Sequence, residues 1–217
     1  MAYKTIDLET YPRRAHFAYF SSLSYPYVGV TVNVDVTALV RRCRAEGWSF
    51  YLTFLHAAAL AADGVPELRR RIHQGGIVEY DECPTSHVEL LADGTYCYCT
   101  LRHHMPFSEY LPRAERQRAL SREAASIEED EDAEGMYFIS TLPWLRYTAL
   151  IQPVAGGEES NPRITWGRYE ADAAGRLQLP VSLLVHHALA DGVHIAAFYA
   201  NLNKEIGTIA NTQALPE

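Results

Sequence analysis

The chain has 217 residues, of which 48% are hydrophobic and 21% charged, a composition that suits one globular domain with a sizeable core. Its formal net charge is −8 and no run is rich in lysine and arginine, so nucleic-acid binding is not expected. It has neither a stretch of about 18 apolar residues nor a charged-then-apolar leader, so we expect no membrane association and a cytoplasmic location. None of the four cysteines forms a C-x-x-C pair, which favours reduced core thiols over a disulfide or a metal site.

The first third of the sequence alternates strand and helix signals. A strand is predicted at residues 3–7 and a helix at 13–20, because proline is tolerated in a first helical turn. Valine at every second position from 28 to 36 predicts a strand with one buried face. An amphipathic helix is predicted at 37–46. Ser49 can cap the next segment, FYLTFLHAAALAADG, which is apolar on nearly all sides and therefore predicts a buried helix.

The middle of the chain predicts a hairpin and a charged helix. Strands at 88–91 and 96–101 flank the sequence Ala-Asp-Gly-Thr, which is a typical hairpin turn. The other elements predicted here are a helical turn at 68–71, a strand at 77–80, a charged helix at 107–127 and a solvated acidic helix end or loop at 128–131.

The last third predicts four strands and one helix. The strands are predicted at 137–141, 146–154, 163–169 and 177–185, and the final helix at 193–206. Strands and helices are interspersed, and many strands are joined by short turns. We therefore predict an α+β fold, a two-layer sandwich in which helices cover a large mixed β-sheet, forming one domain over residues 1–217.

The stretch LLVHHALADGVH at residues 183–194 places His187, Asp191 and His194 in an otherwise apolar run, where a strand passes into an amphipathic helix. A neutral imidazole can act as a general base near pH 7 if one ring nitrogen is free and the other is held. A strand-to-helix junction can hold the ring of His187 in that way. Because neighbouring strand residues point to opposite faces, His186 is expected to be structural.

Two other interpretations of this stretch stay open. His187 can be a half-buried structural histidine at a strand end. A zinc site made from these histidines and Asp191 would need His186 and His187 to reach one ion, which adjacent strand residues rarely do, so no metal is predicted. His194 is expected to face the helix interior or a subunit contact.

The pattern HHxxxDG is that of CoA-dependent acyltransferases, and LLVHHALADGVHIAAF resembles the corresponding segment of the chloramphenicol acetyltransferases. The resemblance extends over roughly residues 3–207 and includes FYLTFLHAAALAA and PELRRRI. It implies the CoA-dependent acyltransferase fold, acetyl-CoA as co-substrate and a small-molecule hydroxyl acceptor. It also implies a homotrimer whose active sites lie at the subunit interfaces.

Three further segments resemble functional segments of that family. YPRRAHFAYF places Arg13 where the family has an arginine that pairs with the aspartate of the His motif, which is Asp191 here. FISTLPW places Ser140 where a serine hydrogen-bonds the oxyanion, and ITWGRY places Thr165 where a threonine holds a water near the intermediate. His187 corresponds to the catalytic base. The residues that the resemblance assigns to the CoA site are Trp144, Arg168 and Tyr169.

The sequence also departs from the family. Ala190 replaces a cysteine that is common in the His motif, and Ser49 stands where a lysine near the CoA phosphates is often found. The acceptor pocket that the resemblance implies has more tyrosine than the resistance enzymes have, and its residues are Tyr19, Phe20, Ser24, Pro26, Tyr96 and Tyr98. Acetyl transfer is therefore better supported than chloramphenicol as the acceptor.

The predicted function is O-acetyl transfer to chloramphenicol or a similar small aromatic alcohol, which would give antibiotic resistance. Two alternative functions stay open. The catalytic domains of dihydrolipoyl acyltransferases share HHxxxDG, but they normally follow a lipoyl domain and a linker, which we do not expect before residue 3. A catalytically idle relative that binds a small ligand is expected to have lost the base or the oxyanion donor. The sequence keeps both, as His187 and Ser140.

Overall fold

The fold is described by a computed structural model for residues 1–128 and 132–211, so part of the predicted acidic run, residues 129–131, lies outside the described residues. The elements in chain order are β1 (Tyr3–Ile6), α1 (Arg14–Ser21), β2 (Tyr27–Asp35), α2 (Thr37–Glu46), α3 (Phe50–Asp63), β3 (Arg70–His73), β4 (Gly76–Tyr80), β5 (Thr85–Leu90), β6 (Tyr96–Leu101), α4 (Phe107–Ala124), β7 (Tyr137–Thr141), β8 (Arg163–Trp166), β9 (Glu170–Ala171), β10 (Leu177–His186) and α5 (Gly192–Ala210). Within these ranges no helix is both long and apolar enough to cross a lipid bilayer.

A mixed β-sheet forms the centre of the fold. Its strands lie in the order β2-β10-β8-β7-β5-β6, and the short β9 pairs with one end of β10. Strand β7 is parallel to β5 and β8, whereas the other neighbours are antiparallel. A smaller sheet has the order β1-β4-β3. Helices α2, α3 and α5 share one apolar core with the mixed sheet, which confirms the predicted α+β fold.

Helix α3 lies in this core because its sequence is apolar on nearly all sides. Ten of its 14 residues are buried, and burying one large apolar side chain contributes about 1.5–3 kcal/mol. The side chain of Ser49 caps the helix by accepting a hydrogen bond from the backbone N–H of Leu52 at 3.4 Å, as predicted. Helix α3 packs against α5, the helix that follows the His motif, so the core fixes the position of that motif.

Strand β2 lies at the edge of the mixed sheet, and its valines are buried only in part. Val34 is 2% exposed, but Val30 and Val32 are 44% and 38% exposed. The register places these two opposite Leu183 and Val181 of β10, which are buried. The prediction of one buried face is therefore wrong at Val30 and Val32, although it holds at Val34. The apolar face is shared with β10, but the sheet edge receives less cover from the helices than the centre does.

The prediction of a strand at 146–154 is also wrong, because these residues have no regular secondary structure. A strand needs a hydrogen-bonding neighbour, and none of the described strands pairs with this segment. The strand predicted at 163–169 ends at Trp166. Residues 70–71, predicted as part of a helical turn, begin strand β3 because they pair with β4.

Two buried polar side chains hold the turn that leads into β7. The guanidinium of Arg71, which is fully buried, donates hydrogen bonds of 2.7–2.9 Å to the backbone carbonyl oxygens of Leu68, Arg70, Glu134 and Met136. The side-chain amide of Asn161 donates to three carbonyl oxygens of the same turn. Because buried carbonyl groups need donors, these two side chains fix the start of the strand that carries Ser140.

We predict that Arg71→Met destabilises the protein strongly, since it leaves four carbonyl groups without this donor. One unsatisfied buried group costs about 1–3 kcal/mol, so the free energy of unfolding should fall by about 3 kcal/mol or more and Tm by about 6 °C or more. Thermal unfolding followed by circular dichroism measures the change. Arg14→Met, an exposed position on α1, is the matched control. Equal Tm values for the two variants would contradict the proposed role of Arg71 in holding this turn.

Candidate active site

The end of β10 presents His187 with one ring face covered. Its backbone N–H donates to the carbonyl oxygen of Pro26 at 2.7 Å, and its ring stacks on Phe20 with centroids 3.8 Å apart and planes 9° apart. The residue is half-buried. Its Nδ1 atom is buried without a hydrogen-bond partner among the described residues. The other ring nitrogen, Nε2, is therefore the one that can meet a substrate.

His186, the last residue of β10, has a different environment. It is 1% exposed, and its ring packs edge-on against Tyr27 with centroids 5.2 Å apart. Its Nδ1 accepts a hydrogen bond from the backbone N–H of Ala188. Burial, followed by the proximity of His187, lowers the pKa of His186 to about 4. The buried ring is thus neutral near pH 7 and serves the structure of the junction.

An ion pair joins the two chain segments on either side of His187. Nη1 of Arg13 lies 2.5 Å from Oδ2 of Asp191, and the two side chains are 20% and 28% exposed. Asp191 also caps α5 by accepting from the N–H of Val193, while Nδ1 of His194 accepts from the N–H of Asp191. The pair is single-pronged, because Nε and Nη2 of Arg13 have no partner in the described ranges. It connects the start of α1 to the start of α5.

Burial opposes ionisation of Asp191, but the hydrogen bond and the positive charge of Arg13 outweigh it and lower the pKa of Asp191 below its ordinary value. A carboxyl whose pKa is lowered on folding stabilises the folded state above its unfolded pKa of about 3.9, and this contribution disappears as the pH falls through the folded pKa. The junction beside His187 is thus held by a charge that is fully present at neutral pH.

Hydroxyl groups line up across four strands of the sheet. The register places Ser140 beside Thr165, Thr165 beside Ser182 and Ser182 beside Thr31. The hydroxyls of Thr31 and Ser182 lie 2.7 Å apart. The predicted oxyanion donor and the predicted water-holding residue are therefore neighbours on β7 and β8. The row forms a polar stripe on an otherwise apolar sheet.

Two residues that the sequence did not single out complete this stripe. The amide of Gln152 donates to Oγ1 of Thr165 at 2.9 Å. The hydroxyl of Tyr147 donates to the carbonyl oxygen of Thr165 at 2.9 Å and accepts from Ser182 at 3.2 Å. Both belong to the irregular segment that was predicted as a strand. Their sequence carries no signal for this role, since only folding brings the segment onto the sheet.

A cavity of about 340 Å³ opens beside Ser140. Tyr98, one of the predicted acceptor residues, lies in its wall together with Gln152. The lining residues do not include His187, so one copy of the chain does not bring the two predicted catalytic groups into this cavity. The full set of lining residues is Ser86, His87, Val88, Tyr98, Phe138, Ile139, Ser140, Gln152 and Arg163.

A second cavity, of about 620 Å³, brings the three predicted CoA residues together. Trp144, Arg168 and Tyr169 line it, and so does Tyr96, which the sequence assigned to the acceptor pocket. Its walls are aromatic and apolar, apart from Arg168 and a group of charged side chains on β5 and α4. Its size lies in the range of about 300–1,000 Å³ that is typical of small-molecule sites.

The charged group in that wall is centred on Glu89, which is 2% exposed. Arg118 donates to both carboxylate oxygens, at 2.5 and 2.9 Å, and Arg122 donates to one of them at 2.5 Å. Burial opposes ionisation of Glu89, but hydrogen bonds from His87 and Arg118 outweigh it and lower the pKa of Glu89 to about 2. Two arginines face one carboxylate, so this part of the cavity carries a net positive charge near pH 7.

Of the remaining predicted acceptor residues, Phe20 and Pro26 contact His187. Phe20 stacks on the imidazole, and its neighbour Tyr19 is 62% exposed. Pro26 is buried and Ser24 is exposed on the loop between α1 and β2. The predicted acceptor residues thus divide between the surface beside His187 and the cavities beside Ser140 and Trp144.

We predict that Asp191→Asn lowers Tm at pH 7, because the amide keeps the helix cap but cannot pair with Arg13 as a carboxylate does. A partly exposed, charge-assisted hydrogen bond contributes about 1–2 kcal/mol. The difference in unfolding free energy between wild type and variant should shrink as the pH falls below about 4. Denaturant unfolding from pH 3 to pH 7 measures it. A difference that does not change with pH would contradict the ion pair.

The double variant Arg13→Ala/Asp191→Ala provides the control for this pair. It should lose less stability than the sum of the losses in Arg13→Ala and Asp191→Ala, because each single change leaves the charge of the other residue without its partner. Strict additivity would show that the two side chains do not interact.

Comparison with known proteins gives one consistent result. The chloramphenicol acetyltransferase family profile matches residues 1–203. A chloramphenicol acetyltransferase of Klebsiella sp is 26% identical over 205 residues, covering 93% of each chain, and chloramphenicol acetyltransferase 2 of Escherichia coli is also 26% identical, covering 93% of this chain and 96% of that one.

Two solved structures show the same fold. A chloramphenicol acetyltransferase structure has a TM-score of 0.83 at 24% identity, covering 94% of this chain and 100% of that one. A probable dihydrolipoamide acetyltransferase from Listeria monocytogenes has a TM-score of 0.71 at 17% identity, covering 98% of both chains. The fold is thus that of CoA-dependent acyltransferases. The chain belongs to the chloramphenicol acetyltransferase family and is an acyltransferase.

Proposed function

We propose that this acyltransferase moves an acetyl group from acetyl-CoA to the hydroxyl of chloramphenicol or of a similar small aromatic alcohol. The observation that carries the proposal is the position of His187 at the β10–α5 junction, stacked on Phe20 with Nε2 free to meet a substrate. Aromatic side chains nearby, such as Tyr19, suit an aromatic acceptor. The buried free thiols fit a reducing compartment, which supports a cytoplasmic location.

In the proposed reaction, Nε2 of His187 takes the proton of the acceptor hydroxyl as its oxygen attacks the thioester carbonyl. The hydroxyl of Ser140 donates a hydrogen bond to the oxyanion that forms, and Thr165 beside it holds a water. The intermediate then collapses. The CoA sulfur leaves and takes the proton back from His187, which regenerates the neutral base, while the acceptor keeps the acetyl group as an ester.

The cavity with Trp144 supports acetyl-CoA as the co-substrate. Its aromatic and apolar walls suit the pantetheine arm, and the exposed guanidinium groups of Arg122 and Arg168 suit phosphate groups. Ser49 offers no such charge. The arginines can therefore supply the attraction that a lysine at position 49 would otherwise provide.

We also propose that the active protein is a homotrimer whose sites lie between subunits. His187 and Ser140 carry complementary parts of the chemistry, yet the cavity beside Ser140 does not include His187. The sheet edge exposes Val30 and Val32, and Ile151 is 94% exposed. Exposed apolar surface of this kind supports association, and cyclic association would set the His187 surface of one copy against the Ser140 cavity of the next.

The first test measures CoA release from acetyl-CoA with chloramphenicol, with simple aromatic alcohols and with dihydrolipoamide as acceptors. We expect an alcohol to be the best acceptor, and His187→Ala to lower kcat on it by about 10²–10⁴-fold with little change in the KM for acetyl-CoA. His16→Ala, an exposed histidine on α1, is the matched control. Near-normal turnover by His187→Ala would rule out the base, and a clear preference for dihydrolipoamide would favour the lipoyl alternative.

The second test addresses the shared site. Ser140→Ala should lower kcat by about 10²–10³-fold. When His187→Ala and Ser140→Ala chains are co-expressed in equal amounts, mixed trimers contain one interface with both groups intact, and activity should return to roughly a quarter of the wild-type value. The two variants purified separately and mixed without subunit exchange should stay inactive. No recovery after co-expression, or a monomer by light scattering, would contradict the proposal.

A further inference from the structure

A second cluster of ionisable side chains lies away from the proposed acyl-transfer site. Asp63 is the last residue of α3, and His103 and His104 follow β6 on the connection to α4. Nε2 of His103 lies 2.5 Å from Oδ2 of Asp63, and Nε2 of His104 lies 2.7 Å from the same oxygen. Two imidazoles and one carboxylate thus converge on a single point.

The two histidines can converge because they lie outside the strand. On a strand, adjacent side chains point to opposite faces, so two neighbouring strand histidines would not meet at one point. The rings of His103 and His104, by contrast, stack with their centroids 4.8 Å apart and their planes 29° apart. Both rings therefore direct one nitrogen to the same side, where Asp63 lies.

The spacing of the ligand atoms is close to that of a metal site. One ligand atom from each of the three residues lies within 4.8 Å of the other two. Zinc bonds of about 2.0–2.2 Å in a tetrahedron place neighbouring ligand atoms roughly 3.3–3.5 Å apart. Asp63 must therefore move away from the two rings by only about 1 Å to admit an ion. His104 is 36% exposed, which gives the ion a path from solvent and leaves a coordination position for water.

The surroundings orient these ligands. The hydroxyl of Tyr137 donates to Oδ1 of Asp63 at 2.8 Å, which leaves Oδ2 to face the histidines. The ring of His103 is fully buried, and its Nδ1 has no partner in the described parts of the chain. The interaction that keeps this imidazole buried must therefore come through Nε2. A carboxylate held by an outer hydrogen bond is the usual arrangement around a bound metal.

We propose that Asp63, His103 and His104 bind a divalent transition-metal ion, for which zinc is the best match. Two imidazole nitrogens and one carboxylate oxygen are a frequent zinc ligand set, completed by water. The bound ion would join the end of α3 to the connection between β6 and α4. Its role is structural, since the cluster includes none of the residues assigned to acyl transfer.

The test uses the full chain without an affinity tag, after removal of metal with a chelator. Calorimetric titration with Zn²⁺ should give one ion per chain, and Co²⁺ should give the visible absorption of a tetrahedral nitrogen-oxygen site. Zinc at about 100 times its Kd should raise Tm by about 5–10 °C. The absence of saturable binding would show that the three side chains form only a hydrogen-bonded cluster, and would overturn the proposal.

His104→Ala locates the binding, because this partly exposed side chain can be removed without opening the core. The variant should bind zinc at least about 100-fold more weakly, since the loss of a direct ligand exceeds the 10–100-fold cost of losing an outer-shell partner. It should lose the Co²⁺ absorption but keep its acyl transfer in metal-free buffer. His16→Ala is the matched control and should bind as wild type does. Equal zinc affinity in wild type and His104→Ala would place the ion elsewhere and overturn the proposal.

Discussion

The pairing of β10 with β2 and β8 organises the mixed sheet and the candidate site at its end. Nine residues of β10 pair with β2, and four pair with β8 on the other side. A slip of one residue would turn Val181 and Leu183 out of the core, so apolar burial fixes the register. That register aligns Ser182 with Thr165 and sets the point at which the chain leaves the sheet. His187 occupies that point, so the register of the sheet decides where its backbone lies, and local contacts then hold its ring.

The groups proposed for catalysis rest on two different kinds of support. Ser140 and Thr165 are neighbours on paired strands, so the backbone ladder positions them. His187 lies beyond the end of its strand, and stacking on Phe20, a backbone hydrogen bond to Pro26 and the Arg13–Asp191 pair near the helix start position it instead. The first support is rigid because it lies inside the sheet. The second is local, so it depends more strongly on charge and on single side chains.

Predictions that depend on residues close together in the sequence, such as the helix cap and the apolar helix, were confirmed. Ser49 caps α3, and the apolar composition of α3 leads to its burial. Pattern was less reliable at the sheet edges. Val30 and Val32 alternate as buried strand residues do, yet they lie where the helices give little cover. Residues 146–154 were predicted as a strand, but no strand of the described fold pairs with them.

The α+β class, the strand-to-helix junction at His187 and the family resemblance of the motif could be predicted from the sequence, because they depend on residue order and short spacings. Which distant residues meet follows from the folded chain. Folding placed Gln152 on Thr165, gathered Trp144, Arg168 and Tyr169 around one cavity, and directed two adjacent histidines at Asp63. Such contacts join residues that are far apart along the chain, and they depend on how β-strands pair and how a loop turns, which no local pattern encodes.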